Sequence, residues 1–139
     1  MSGDAPIRQV LKFQAVPSTA RPARRFVADT LRAQGATNDE ILDIALVASE
    51  LVSNIIEHGD GLELSLGLSA TSETWELSVV GGRCSPESLV LRPEKWNVAR
   101  ADESSGRGLG IVRQLMDEIS VDATDGTVSV SCRRRRAPL

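Results

Sequence analysis

The sequence predicts an α+β fold, a two-layer sandwich in which a mixed or antiparallel sheet carries its helices on one face. Two observations lead there. The strand-like stretches fall in adjacent pairs, each joined by a short turn signal, as hairpins are. The helical stretches lie between those pairs and do not alternate one for one with strands, as crossovers of a parallel sheet would. A third observation bounds the size. The 139 residues make one domain, 1–139, which can bury about two-thirds of its unfolded surface without staples.

Gln9 to Val16 sets Val10, Lys12 and Gln14 against Leu11, Phe13 and Ala15, the alternation of a strand. Pro17-Ser18-Thr19 breaks it, and Ser18 or Thr19 can cap a helix. Pro22 is tolerable only within a first helical turn. Ala23, Phe26, Val27, Thr30 and Leu31 then recur at helical spacing until Gly35, a helix stop. Thr37 or Asn38 can cap a second helix, whose first turn favours Asp39 and Glu40 through the dipole. It runs to about His58 and stops at Gly59-Asp60-Gly61. Leu62 to Leu68 and Thr74 to Val80 read as a hairpin turning over Ala70 to Glu73.

Gly81 to Ser105 has no sustained period. A loop of that length inside a compact domain is unusual and is often functional, so a lid is expected over about 81–105. Gly106 to Glu118 is a glycine-rich entry into a third helix. Ile119 to Ala123 and Thr127 to Cys132 form a closing hairpin around Asp125-Gly126. Arg133 to Arg136 open a basic tail over 133–139, read as a solvated end or a guard of a strand edge.

Composition narrows the function. The hydrophobic fraction is 41% and the charged fraction 25%, ordinary for a folded domain and against extensive disorder. Aromatics are 3%, with no tyrosine, so the core is aliphatic and stacking platforms for single-stranded nucleic acid are few. With a net charge of -3, no direct nucleic-acid binding is expected. Cys84 and Cys132 are far apart and no secretory leader is visible, which reads as reduced thiols in the cytoplasm. No run approaches the length of a membrane span. A single histidine excludes a His-rich metal site.

The second helix combines a wide apolar face with an odd polar stripe. Ile41, Ile44, Ala45, Ala48, Leu51, Val52, Ile55 and Ile56 are apolar, while Glu50, Asn54 and His58 stand four residues apart on one line. The plainer reading of the stripe is a solvent-facing strip. The sharper one is a site, because an Asn carbonyl is a hard oxygen ligand suited to Mg²⁺ and a carboxylate one turn away can deprotonate an attacking group. The third helix opens on Gly106-Arg107-Gly108-Leu109-Gly110. Such glycines allow close backbone approach, and a helix N-terminus with an arginine beside it suits phosphate. Neither a Walker A motif nor a Rossmann fingerprint is present. The alternative is a flexible loop with tight helix packing.

Together the segments resemble a specific family. Ala48 to Gly59 (ASELVSNIIEHG) resembles the N-box helix of the GHKL ATPases, and Gly106 to Asp117 (GRGLGIVRQLMD) resembles their second glycine box. Order, spacing and size resemble the stand-alone branch that contains the bacterial anti-sigma-factor serine/threonine kinases. The resemblance implies a Bergerat, histidine-kinase-like ATPase fold, ATP with Mg²⁺, and an ATP lid between the boxes. It implies that Asn54 ligates the metal, Glu50 is the general base, and Gly106, Gly108 and Gly110 contact phosphates. Arg107, Leu109 and His58 belong to the same matched segments. It further implies two partners, a sigma factor and a STAS-domain anti-anti-sigma protein, and a homodimer in common with relatives.

One stretch departs from the pattern. The family's first glycine box carries an Asp that accepts a hydrogen bond from the adenine amino group, and Gly81 stands in its place, with Arg83 where a glycine is expected, able either to obstruct the pocket or to contact a phosphate. Losing a charged hydrogen-bond partner costs roughly 1.5–3 kcal/mol, roughly 10- to 150-fold in affinity. Two functions therefore follow: an ATP-dependent protein kinase of the anti-sigma type, or a nucleotide-independent binding module with a degenerate ATP site.

Overall fold

Caps and turns set the boundaries of the elements. The computed structural model describes residues 7–97 and 104–138, the side chains of 7 and 104–107 excepted. Strand β1 (Ile7–Gln14) leads through a 3-10 turn at Pro17–Thr19 into helix α1 (Ala20–Ala33). Thr19 holds the cap position of α1 without capping it: its hydroxyl donates back to the Gln14 carbonyl. The helix ends at Gly35, φ +84°. There Ala36 N–H donates to Leu31 O at 3.0 Å and Gly35 N–H to Arg32 O at 3.2 Å, a Schellman closure.

Helix α2 (Asn38–His58) opens on a capping box. Thr37 Oγ1 accepts from Glu40 N–H at 3.2 Å, and Glu40 Oε1 accepts from Thr37 N–H at 2.8 Å. Strands β2 (Glu63–Ala70) and β3 (Thr74–Gly82) follow, then α3 (Ser104–Leu115), β4 (Glu118–Thr124) and β5 (Thr127–Arg135). The turn between β4 and β5 is two residues, Asp125 at φ +53° and Gly126 at φ +77°, the left-handed pair of a type I′ hairpin.

The five strands lie in the order β1-β2-β3-β5-β4. Every neighbouring pair is antiparallel. Leu64, Leu66 and Leu68 of β2, Trp75, Leu77 and Val79 of β3, and Val128, Val130 and Cys132 of β5 share one face. They form a continuous core with Ala23, Val27 and Leu31 of α1, Ile44, Leu51 and Ile55 of α2, and Leu109 and Val112 of α3. The α+β sandwich is thus antiparallel throughout its sheet, and α2 is its central helix. Among the described residues no helix is long and apolar enough to cross a membrane.

Three boundaries differ from expectation. The first strand ends at Gln14, two residues before Val16, because the chain turns at once into the 3-10 turn. As an edge strand it leaves Val10 51% and Leu11 43% exposed. The loop between β3 and α3 is shorter than Gly81–Ser105: β3 keeps Gly81 and Gly82, and α3 already starts at Ser104. Its described part is packed, not open. Two 3-10 turns, Leu89–Leu91 and Pro93–Lys95, bury Val90 and Trp96, and Trp96 Nε1 donates to Leu89 O at 2.7 Å. Residues 98–103 of the expected lid lie outside the described residues.

The third difference is the basic run. Arg133, Arg134 and Arg135 are strand residues of β5, not a tail. Arg133 pairs with Glu76 at 3.2 Å and Glu118 at 3.6 Å, and Arg134 with Asp43 at 2.8 Å. Arg136 stacks 4.0 Å above the Trp75 ring and donates to Thr71 O and Gln34 O. The charges that suggested a solvated end meet acidic and carbonyl partners from distant parts of the chain.

Candidate functional site

Helical periodicity aligns Glu50, Asn54 and His58 on α2, and the fold decides what that line faces. Its first two members face α3 rather than solvent. Asn54 is only 4% exposed, and Glu50 and His58 are half-buried. Asn54 Nδ2 donates to Glu50 O at 2.8 Å. A carbonyl can only accept, so the amide nitrogen is the atom that turns toward the helix and Oδ1 turns away from it. That Oδ1 is buried and has no hydrogen-bond partner among the described residues. A buried bare acceptor costs about 1–3 kcal/mol.

The glycine-rich segment supplies the opposite wall. The glycines are not a loop ahead of α3 but lie inside its first two turns, and the helix ends at Leu115, not Glu118. A Cβ on Gly108 would overlap Glu50 Oε1, with Glu50 Cδ at 3.2 Å and Asn54 Nδ2 at 3.6 Å. With glycine here the Glu50 carboxylate can lie against α3; a methyl would make it move. Glu50, Asn54 and Gly108 therefore converge.

Other expected site residues are placed differently. Leu109 is fully buried in the core, so its side chain packs rather than binds. Gly110 is buried in the second turn of α3. The side chain of Arg107 lies outside the described residues, and Gly106 is placed only as part of α3. His58 closes α2, with Glu57 at 3.9 Å, and nothing described joins it to Gly108. Arg83 is exposed, and its Nη2 lies 3.6 Å from where a Cβ on Gly126 would stand. Its guanidinium rests on the β4–β5 turn and does not enter the space between Asn54 and Gly108.

Gly81 is adjacent to the stripe through Ile55, a residue of the apolar face of α2. A Cβ on Gly81 would overlap Ile55 Cγ2. Beyond it the loop after α2 is clamped to the end of β3. Asp60 N–H donates to Arg83 O at 3.0 Å, Arg83 N–H donates to Asp60 Oδ1 at 2.9 Å, and Gly59 bridges to Cys84. A Cβ on Gly82 would overlap Gly61 N. The two glycine pairs, 59/61 and 81/82, were the available signal: small residues at both places permit the backbones to touch.

The donor set fits a hard divalent cation held mainly by its ligand. Among the described residues no three His, Cys, Asp or Glu side chains gather as a metal site. One neutral amide oxygen at a buried position suits Mg²⁺, which keeps waters and takes phosphate oxygens with few protein ligands. Cys84 and Cys132 take no part: burial raises both thiols, Cys132 to about 12.

Comparison with known proteins is consistent with this geometry. Residues 13–133 match the model of the histidine kinase-like ATPase domain. Over 122 residues, 82% of each chain, the sequence is 30% identical to the anti-sigma F factor of Bacillus subtilis (strain 168). Two solved structures share the fold. The SiaB–SiaC complex of Pseudomonas aeruginosa superposes with a TM-score of 0.65 at 17% identity, over 91% of this chain and 89% of that one. A structure with RsbU and RsbW domains from Mycobacterium tuberculosis gives 0.64 at 20% identity, over 96% of this chain and 33% of that longer one.

Proposed function

This chain belongs to the histidine kinase-like ATPase domain family, and from that premise we propose that it is an ATP-dependent protein serine/threonine kinase of the anti-sigma type. It regulates transcription in the cytoplasm by switching between two partners, a sigma factor and a STAS-domain antagonist. The observation that carries the nucleotide site is the buried Asn54 Oδ1 with no partner among the described residues, on a side chain one turn from Glu50, whose carboxylate lies against Gly108. The protein partners are supported by the relatives named anti-sigma F factors.

In this reading Asn54 Oδ1 holds Mg²⁺, and the N–H groups of the first turn of α3, with Gly106, Gly108 and Arg107, hold phosphate oxygens. Bound Mg-ATP supplies the phosphoryl group, with its charge neutralised by the metal. Gly108 leaves room for the Glu50 carboxylate. Glu50 takes the proton from the incoming serine or threonine hydroxyl as general base. Asn54 Nδ2 anchors its own amide on the Glu50 carbonyl, which keeps Oδ1 presented.

The test is phosphoryl transfer from Mg-ATP to a purified STAS-domain partner. Glu50→Gln should lower transfer by about 10²–10⁴-fold while ATP binding persists. Transfer unchanged in that variant removes Glu50 from the reaction. The strand end favours a second reading, a partner-binding module that uses no nucleotide, because Gly81 offers no carboxylate to a base.

A further inference from the structure

The helices cover one face of the sheet, and the alternating burial of the strands leaves the other face open. Open grooves run over that second face, one beside Arg8, Ser69 and Glu76 and another beside Glu118, Ser120 and Ser131. The register of the sheet orders the face into rows that run from β1 to β4. Arg8, Ser69, Glu76, Arg133 and Glu118 form one row. Val10, Gly67, Ser78, Ser131 and Ser120 form the next. Lys12, Ser65, Val80, Ser129 and Asp122 form the one after.

The inner strands of these rows are small and mostly uncharged. Their two charged residues, Glu76 and Arg133, neutralise each other within the chain at 3.2 Å. The outer strands carry opposite signs: Arg8 and Lys12 stand on β1, Glu118 and Asp122 on β4. Arg8 and Lys12 make no ion pair among the described residues. Glu118 reaches Arg133 at 3.6 Å with its side chain 69% exposed, and Asp122 accepts from the Thr124 hydroxyl at 2.8 Å.

The two signs also match row by row, Arg8 with Glu118 and Lys12 with Asp122. Strand β3 is the middle strand of the five. A two-fold axis parallel to the strands and passing over β3 therefore brings β1 of one copy over β4 of another without shifting the rows. Arg8 then meets Glu118 of the second copy and Lys12 meets its Asp122, and the axis repeats both pairs at the opposite edge. The same axis keeps the strands of the two sheets aligned, as in stacked sheets generally. The strands are seven to nine residues long. With strands about 4.8 Å apart and about 3.3 Å per residue, the face measures roughly 600 Å². Two copies would bury about 1,200 Å² together, the low end of stable interfaces.

We propose that the open face of the sheet is a homodimer interface, on which a second copy of this chain stacks face to face about a two-fold axis along β3. This goes beyond the homodimer that the family resemblance implies by assigning its face, its axis and its charge pairs, and it does not depend on the nucleotide reading.

The experiment is sedimentation equilibrium of the full chain and of two charge-swapped variants, with circular dichroism to confirm folding. All four swapped positions are exposed. The parent should be a dimer whose dissociation constant rises with salt, because the edge pairs are screened. Arg8→Glu with Lys12→Glu sets acid against acid at both edges, and Glu118→Lys with Asp122→Lys sets base against base. Each variant alone should have a dissociation constant at least about tenfold above that of the parent. An equimolar mixture of the two should dimerise again, because every edge pair in the mixed dimer is of opposite sign. A parent that stays monomeric at high micromolar concentration would overturn the proposal. So would a dimer that both swaps leave intact, which would put the interface on another surface. Two weakened variants whose mixture stays monomeric would overturn it too, since the loss would not then come from these pairs.

Discussion

A carbonyl oxygen buried between helices ordinarily finds a donor, because leaving it bare costs about 1–3 kcal/mol. Asn54 Oδ1 does not find one, and that cost marks the residue as more than packing. Gly108 carries a related cost. Alanine in its place would gain about 1 kcal/mol of helix propensity, but its methyl would displace the Glu50 carboxylate. Gly108→Ala is therefore expected to alter thermal stability by no more than about 1 kcal/mol while phosphoryl transfer falls at least tenfold; equal losses in both would mean that the glycine is structural. Glu40 shows the opposite use of a buried carboxylate. Its burial alone would raise the carboxyl. Hydrogen bonds from the backbone of Thr37 and Ala137, the Trp75 indole and the Thr37 hydroxyl outweigh that and lower it. The folded value lies below the unfolded one, so the stabilisation is present above about pH 4.5 and drains away as the pH falls through the lowered value. Glu40→Gln should lose about 1–3 kcal/mol near neutral pH and show a flatter decline of stability in acid, read by urea unfolding from pH 7 to about pH 3.5.

Among the elements, those written in local chemistry were legible in advance. Gly35 closes α1, Thr37 with Glu40 opens α2, and Asp125-Gly126 turns β4 into β5, each through bonds spanning a few residues. The polar stripe of α2 was legible too, since helical spacing alone puts Glu50 and Asn54 on one line. What was hidden depends on residues far apart in sequence. Ile55 reads as core in any helical wheel and is core, but only the fold brings Gly81 against its Cγ2. Trp96 reads as part of an irregular loop, yet it is buried with its indole N–H on Leu89 O. The arginines of β5 read as a tail because their acids, Asp43, Glu76 and Glu118, come from three other elements. Arg136 tests this last point. Its stacking on Trp75 and its bonds to Thr71 O and Gln34 O predict that Arg136→Ala costs about 1–3 kcal/mol in chemical denaturation, whereas a solvated end would tolerate the change without effect.

Across the whole molecule, the antiparallel sheet is a platform and α2 packs against α1, α3 and β3. Its N-terminus receives the end of the chain through Glu40, its middle carries the stripe that faces α3, and the residues after it are clamped to β3 through Asp60. Helix α2 is thus held at both ends by contacts that need no ligand, and the buried Asn54 Oδ1 between them has no partner among the described residues. The central claim is that this oxygen serves a metal–nucleotide complex. The most direct test is calorimetry of ATP binding with and without Mg²⁺, on the parent chain and on Asn54→Ala, with circular dichroism to confirm folding. Mg²⁺-dependent binding by the parent, lost in a folded Asn54→Ala, is the result this account predicts. A folded variant that binds Mg-ATP as tightly as the parent would contradict it.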